Sequence, residues 1–488
     1  MSSVAPADLQ ELARKELLAN GFNPVFPAAV TTQLAAIAAR PPAIVAGGSV
    51  RDLRGLLWSS IDNDTSRDLD QIEYAELLAG GAVRVLVGIA DVDAFVPARS
   101  PIDDYAAIET TTVYTGVKNF PMLPEALSEG ATSLLEGADK LCLVIETVVG
   151  ADGSVQTGDV YRAVVRNQAQ LTYDAVGGWL ESRGTAPPKV AASADLQKQL
   201  KLQSTVAQAL RSGRLQHGAL DIDTIETRPV VLNEQIVDLV RQATNQATEL
   251  IEDFMIASNG TVARLLDAKR VSSIRRVVRS PKRWDRIVEL AGTYGTHLPP
   301  APDSKALNQF LAARRAADPD RFPDLSLAII KLMGPGEYVL ERPGDPDPGH
   351  FGLAVQDYTH STAPNRRYAD LITQRLLKAV LAGAPAPYSD ADLSQIAANC
   401  TAKEDAARKV ERAMSKRIAA VAMSRQIGGE FDAIVTGVTP SGTFVRVLEP
   451  HVEGLLAQGQ QGLDVGDRLR VRLTRTDVEH GYIDFAKV

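Results

Sequence analysis

Ile61-Asp62-Asn63-Asp64-Thr65-Ser66-Arg67-Asp68-Leu69-Asp70 places four carboxylates within nine residues, among turn-forming side chains. Mutual repulsion makes such a cluster costly unless a cation sits inside it. A hard divalent ion suits it best, because Mg²⁺ takes carboxylate oxygens and keeps positions open for water and phosphate. About three hundred residues later, Thr362-Ala363-Pro364-Asn365-Arg366-Arg367-Tyr368-Ala369-Asp370 brings an arginine pair. An acidic cradle joined to a distant guanidinium suits phosphodiester chemistry, in which cations neutralise phosphate and metal activates water.

Two other readings compete for the acidic stretch. Asp62, Asp64, Ser66, Asp68, Asp70 and Glu73 fall at the ligand positions of an EF-hand loop. That loop needs glycine at its sharp turn, where this chain has Arg67, and Gly55 weakens the helix that should precede it. A plain acidic turn, with Asx-turns at Asp62 and Asp64, is the other reading.

A length of 488 residues predicts two to four domains. A net charge of −8 excludes uniform coating of nucleic acid but not local basic patches. Two such patches exist. Lys269 to Glu289 holds eight Lys/Arg against two acids, and Lys403 to Arg425 holds seven against three. Each could be a nucleic-acid contact or a solvated face. The two cysteines, Cys142 and Cys400, make neither a disulfide framework nor a zinc spacing. No signal-like start or membrane-length apolar run is present, so a cytoplasmic protein without membrane contact is expected.

The periodicity predicts helices over 6–20 and 27–39, a pair compatible with a helix-turn-helix or with simple packing. Strands are expected over 83–96, 141–149 and 160–165. Helices follow over 173–183, 195–213, 234–266, 284–293, 365–382 and 391–424. The last 60 residues change to short strands with glycine turns, as in an OB-fold barrel. Arg468, Arg470 and Arg472 alternate along one of those strands and could follow a phosphate backbone.

Further motifs accompany the acidic stretch in order: Tyr114 with Pro121-Met122-Leu123-Pro124, Leu127-Ser128 and Ser133-Leu134, then Leu171-Thr172-Tyr173-Asp174. Leu250-Ile251-Glu252-Asp253-Phe254-Met255-Ile256-Ala257-Ser258-Asn259 follows, and Gly349-His350-Phe351-Gly352-Leu353 leads to Tyr358-Thr359-His360. Over roughly residues 50–385 this series resembles the ribonuclease II, or RNB, family of 3′→5′ exoribonucleases. The tail resembles the OB-type RNA-binding domain found in such enzymes. The resemblance implies an α+β fold with a helical unit over 1–50, an RNB catalytic domain over 51–426 and an OB barrel over 427–488.

It also implies roles. Asp62, Asp68 and Asp70 align with metal-binding aspartates for one or two Mg²⁺ ions, with Gln71 as a candidate further ligand. Arg366 aligns with the arginine on the scissile phosphate, and Arg367 beside it binds substrate or pairs locally. Glu252 would hydrogen-bond the terminal ribose, Tyr114 would stack on a terminal base, and Tyr173 would orient the catalytic site. The implied partner is single-stranded RNA, extending to duplexes with a 3′ overhang, and the implied state is a monomer. The expected reaction is processive hydrolysis releasing nucleoside 5′-monophosphates. Alternatives are a catalytically weak RNA-binding relative and a helix-turn-helix DNA-binding regulator with an OB appendage.

The chain departs from the family pattern at four places. Gln71 stands where a fourth aspartate is usual, and Asn365 where an apolar residue is usual. Ile222 takes the place of a second stacking aromatic. The residues before the catalytic domain read as helical rather than as two cold-shock barrels.

Overall fold

The computed structural model describes residues 6–223, 226–232, 235–242, 244–346 and 349–488. Its centre is a six-stranded sheet. From one edge the strands run Val50–Asp52, Val155–Thr172, Trp58–Asp62, Gln71–Leu77, Val83–Ala90 and Asp139–Val149. The last strand pairs back on the long Val155–Thr172 strand, so five of the six close on themselves. Trp58–Asp62 runs parallel to that long strand, with Asp62 opposite Thr172, while Gln71–Leu77 and Val83–Ala90 form an antiparallel pair. Valine and isoleucine dominate these strands, as a sheet buried on both faces requires.

The acidic segment is therefore the connection between two central strands, which the sequence reading had left unassigned. Three other expectations need correction. The strand from Val83 ends at Ala90, where Asp91 caps a short 3₁₀ turn. The strand expected over 160–165 extends from Val155 to Thr172. The helix expected from 234 begins only at Gln246, because Gln235–Gln242 is a strand paired with Glu226–Leu232. Ile236, Val237 and Val240 suit a strand, and Asn245 then caps the helix in a reciprocal box with Thr248. Of the helices not expected from the sequence, Ser304–Ala317 and Phe322–Met333 pack with Trp284–Thr293 around Phe310 and Ile329.

The two N-terminal helices, Pro6–Ala19 and Ala28–Ala39, form where expected but use separate partners. Leu9, Ala13 and Leu17 join Met414 and Ile418 of the long helix Asp390–Ser424 in one apolar cluster. Gln33 of the second helix accepts a hydrogen bond from the Ile102 amide, at the start of the Pro101–Glu109 helix. Each helix is thus seated on a different part of the chain, the first on the long helix and the second on the Pro101–Glu109 helix.

The tail is a closed five-stranded barrel in the order Glu430–Thr439, Gly442–Val447, Val452–Gln458, Tyr482–Lys487, Arg468–Asp477. It is tied to the body by Arg446 with Asp324 at 2.7 Å and Arg468 with Asp320 at 2.5 Å. Among the described residues, no helix is long and apolar enough to cross a membrane.

Candidate active site

The acidic turn is shaped by its own side chains. The Asp62 carboxylate accepts from the Asn63 backbone amide and the Ser66 hydroxyl, both at 2.7 Å, bonds to the next residue and to one four residues on rather than the i+2 amide bond of the expected Asx-turn. Ser133 pins the far end: its hydroxyl donates to the Arg67 carbonyl at 2.6 Å and accepts from the Leu69 amide at 3.0 Å. Asp70 is thereby held at the start of the Gln71–Leu77 strand, only 1% exposed.

The arginine segment meets Asp70 directly. The Asn365 amide donates to Asp70 Oδ1 at 2.9 Å, and Arg366 Nε lies 3.4 Å from Asp70 Oδ2. Asn365 is itself fully buried and accepts from Thr132 Oγ1 at 2.6 Å. Its Oδ1 is thus satisfied, while its Nδ2 is buried without a hydrogen-bond partner. Backbone hydrogen bonds from Thr112 to Arg366 and from Tyr368 to Thr110 fix the segment against its neighbour. Asn259 Oδ1 of the central helix Gln246–Ala268 accepts from both the amide and hydroxyl of Ser361 at 2.8 Å. Beneath it lies an edge-to-face series, His350–Tyr358–His360–Tyr338.

The electrostatics follow from burial. Desolvation pushes the Asp70 carboxyl up to about 7, against the opposing pull of Arg366 and the Asn365 amide. Asp62 is raised by burial and, more weakly, by the Asp68 charge. Tyr114 and Tyr173 are also pushed up by burial, and the nearby carboxylates reinforce this: Asp68 and Asp70 for Tyr114, Asp62 and Glu73 for Tyr173. Arg366 opposes both shifts and keeps 42% of its side chain exposed.

Among the residues expected at the site, Asp62, Asp68, Asp70, Tyr114, Tyr173 and Arg366 come together. The parallel pairing of Asp62 with Thr172 explains why Tyr173, beginning the helix Tyr173–Leu180, arrives beside Asp62. The Tyr114 hydroxyl donates to Asp68 Oδ2 at 3.0 Å. Gln71, 7% exposed, is the first residue of the Gln71–Leu77 strand, directly after Asp70. Arg367 grips Asp370 through two nitrogens at 2.8 and 2.7 Å and, with Arg366, lines the cavity beside Tyr114. Glu252 stands apart in a network centred on Arg211, which lies 3.6 Å from Glu252, 3.2 Å from Glu249 and 3.3 Å from Asp221. Ile222 packs against the Trp284 helical cluster.

A divalent cation fits the donor chemistry. The aspartate oxygens are hard donors, and Asp70 Oδ2 is buried without a hydrogen-bond partner. Among the described residues, no three His, Cys, Asp or Glu side chains form a finished metal cage. Asp62, Asp68 and Asp70 are each engaged by Ser66, Tyr114 or Arg366, so cation capture requires those contacts to yield.

Beyond Arg366 the surface opens into two adjoining cavities of about 230 and 480 Å³, which share Tyr114, Arg408 and Glu411. Arg408 and Arg412 come from the second basic stretch and line this groove. Two arginines of the first basic stretch are spent internally, Arg275 on Glu341 and Arg276 on Glu404, while the other basic residues of that stretch are exposed. Sequence reasoning treated the two stretches alike, because the acids that neutralise Arg275 and Arg276 lie 66 and 128 residues away.

Comparisons with known proteins agree with this architecture. A model of the RNB domain matches residues 50–383, and a model of the RNase II-type exonuclease C-terminal S1 domain matches residues 429–488. The chain belongs to the RNB family, whose nucleases are in general metal-dependent. It is 29% identical to ribonuclease R 1 of Lactococcus lactis over 99% of its length and 61% of the relative's. It is likewise 29% identical to ribonuclease R of Escherichia coli over 95% and 60% of the two chains. It thus spans about three-fifths of the curated relatives it matches. The Mycoplasma genitalium ribonuclease R solved with double-stranded RNA superposes with a TM-score of 0.86 at 25% identity, covering 99% of this chain and 83% of that one. A yeast pseudonuclease shares the fold, with a TM-score of 0.71 at 18% identity, covering 92% of this chain and 56% of that one.

Proposed function

We propose that this chain is a Mg²⁺-dependent hydrolytic 3′→5′ exoribonuclease, acting processively on single-stranded RNA to release nucleoside 5′-monophosphates. The observation that carries the reading is the junction of Asp70 with Arg366. A buried, incompletely partnered carboxylate meets a part-exposed guanidinium at the mouth of a groove.

Asp62, Asp68 and Asp70 would hold the cation. When bound, it neutralises phosphate charge and makes water a competent nucleophile at neutral pH. Arg366 supplies a planar fork for two phosphate oxygens, which a lysine cannot reproduce. Tyr173 orients the Asp62 side of the site. Tyr114 presents its ring to the terminal base once its hydroxyl leaves Asp68. Glu252, half exposed within the Arg211 network, would meet a ribose hydroxyl upstream of the Asp70–Arg366 junction and so favour RNA over DNA. The groove past Tyr114 towards Arg408 and Arg412 accepts the upstream strand. The likeness to a ribonuclease R solved with double-stranded RNA supports extension to duplexes with a 3′ overhang.

The test is incubation of 5′-labelled RNA and matched DNA with the protein, with Mg²⁺ or with chelator. Mg²⁺-dependent shortening of RNA from its 3′ end, releasing mononucleotides, is expected. RNA binding without shortening would reduce the chain to a weak relative, and binding of duplex DNA alone would overturn the reading. Asp70→Asn should abolish turnover while leaving RNA binding nearly unchanged, because most phosphate contacts lie elsewhere.

A further inference from the structure

Glu73 is a buried carboxylate that the reading above does not use. It is 0% exposed, and neither of its oxygens has a hydrogen-bond partner. Leaving a buried polar group unsatisfied is costly, and more so when the group is charged. The opposed residue on the neighbouring strand, Ser59, is also fully buried, and its hydroxyl is also unpartnered. A protein rarely keeps such groups together without something for them to bind.

The place of Glu73 in the fold suggests what that is. Gln71 and Glu73 are two residues apart on one strand, so their side chains leave the same face. Gln71 occupies the position where the family pattern usually has an aspartate, and it brings no charge. Glu73 lies within the field of Asp62, and its own charge acts with that of Asp62 on Tyr173. Asp64, another acid of the segment, cannot substitute: its side chain is 61% exposed and lies 3.4 Å from Arg228.

We infer that Glu73 supplies the negative charge that Gln71 lacks, so that the cation site of this chain uses a carboxylate displaced by two residues along the same strand face. The inference rests on the cation-dependent reading above and deepens it. The longer glutamate side chain offsets part of the displacement, and burial strengthens its attraction for a divalent ion. No hydrogen bond must be broken to free it.

The test needs no RNA. Mg²⁺ affinity of the metal-stripped full chain is measured by calorimetry, together with the rise in Tm that Mg²⁺ produces. Glu73→Gln should weaken Mg²⁺ binding about tenfold or more, while the metal-free Tm rises, because a bare buried charge has gone. Adding Gln71→Asp to Glu73→Gln should restore affinity to within about threefold of wild type. Gln71→Asp alone should gain less than about threefold. Unchanged affinity in Glu73→Gln overturns the inference. Should that variant not fold, a tenfold gain from Gln71→Asp alone overturns it equally, since it would show that the charge was still missing. Asp70→Asn separates the two levels. If it too binds Mg²⁺ like wild type, the cation reading itself falls. If it loses Mg²⁺ while Glu73→Gln keeps it, only the role of Glu73 falls.

Discussion

Residues 269–289 and 403–425 are both rich in Lys and Arg, and arginines within them meet opposite fates. Arg275 and Arg276 of the first lie on a fully buried strand, Ser273–Val277. There Arg275 contacts Glu341 at 3.0 Å and the Ala263 carbonyl, while Arg276 grips Glu404 through two nitrogens. Arg408 and Arg412 of the second line the groove that leads to Arg366, on a long helix whose other residues hold the N-terminal helix. Arginine density in sequence therefore reports charge, not purpose. Purpose depends on whether the guanidinium is desolvated against a fixed acid or left facing a cavity. The same contrast recurs between neighbours: Arg367 is closed onto Asp370, whereas Arg366 stays open beside Asp70.

The largest effect that would test this contrast is on stability. Arg275→Met should destabilise the protein by about 3–5 kcal/mol, because it strips a buried carboxylate of its guanidinium. Denaturant melts would show this as a lower midpoint at an unchanged slope. Turnover per folded molecule should be preserved. A variant with wild-type stability and lost RNA cleavage would move Arg275 to the functional side. Arg366→Ala should do the reverse. Its stability should change little, and turnover should fall about a hundredfold, as for other preorganised charge stabilisers. A loss confined to affinity would make Arg366 a docking residue.

A pH experiment sharpens the structural side. Burial holds the His350 imidazole down at about 4, below its ordinary 6.5, and neighbouring Arg276 acts in the same direction. The folded state therefore binds fewer protons than the unfolded chain between pH 6.5 and 4. Stability contributed by neutral His350 is present above pH 6.5 and is lost as pH falls through that window. The advantage of wild type over His350→Asn should shrink by about 1.4 kcal/mol per pH unit there. A constant gap would mean that His350 is hydrated enough to titrate normally.

What was legible in the sequence was local chemistry. The tail barrel and most helices could be read from spacing and turn residues alone. The approach of Asp70 to Asn365, and with it to Arg366, spans 295 residues, and the sequence suggested it only through the chemistry the two segments share and through resemblance. Periodicity failed at 235–242, where an apolar pattern continuous with the next helix concealed a strand that pairs with the segment just before it, Glu226–Leu232. Glu73 drew notice only as an EF-hand position, because nothing in the sequence marks an acid on a strand as fully buried. Arg214 against Asp253 was missed for the same reason: the two close a buried pair across two helices.

The smallest effect tests the comparison most directly. Arg412 is exposed on the groove wall, while Arg279 of the first stretch is also exposed but bound to Glu337 at 2.5 Å. If Arg412 neutralises one phosphate of a single strand, its removal should release one contact's worth of counterions. The slope of log affinity against log salt should then flatten by about 0.7, with affinity falling severalfold at low salt. Turnover at saturating RNA should not move, since Arg412 lies away from Asp70 and Arg366. Arg279→Ala should leave the slope unchanged, because its charge is already met within the protein. Binding isotherms of both variants at four or five salt concentrations decide the matter. Equal flattening in both would mean that RNA also runs over the first stretch, and that exposure rather than internal pairing sorts these arginines. No flattening in either would mean that the strand leaves the groove before reaching Arg412, which would place the grip on RNA nearer to Arg408 and Tyr114.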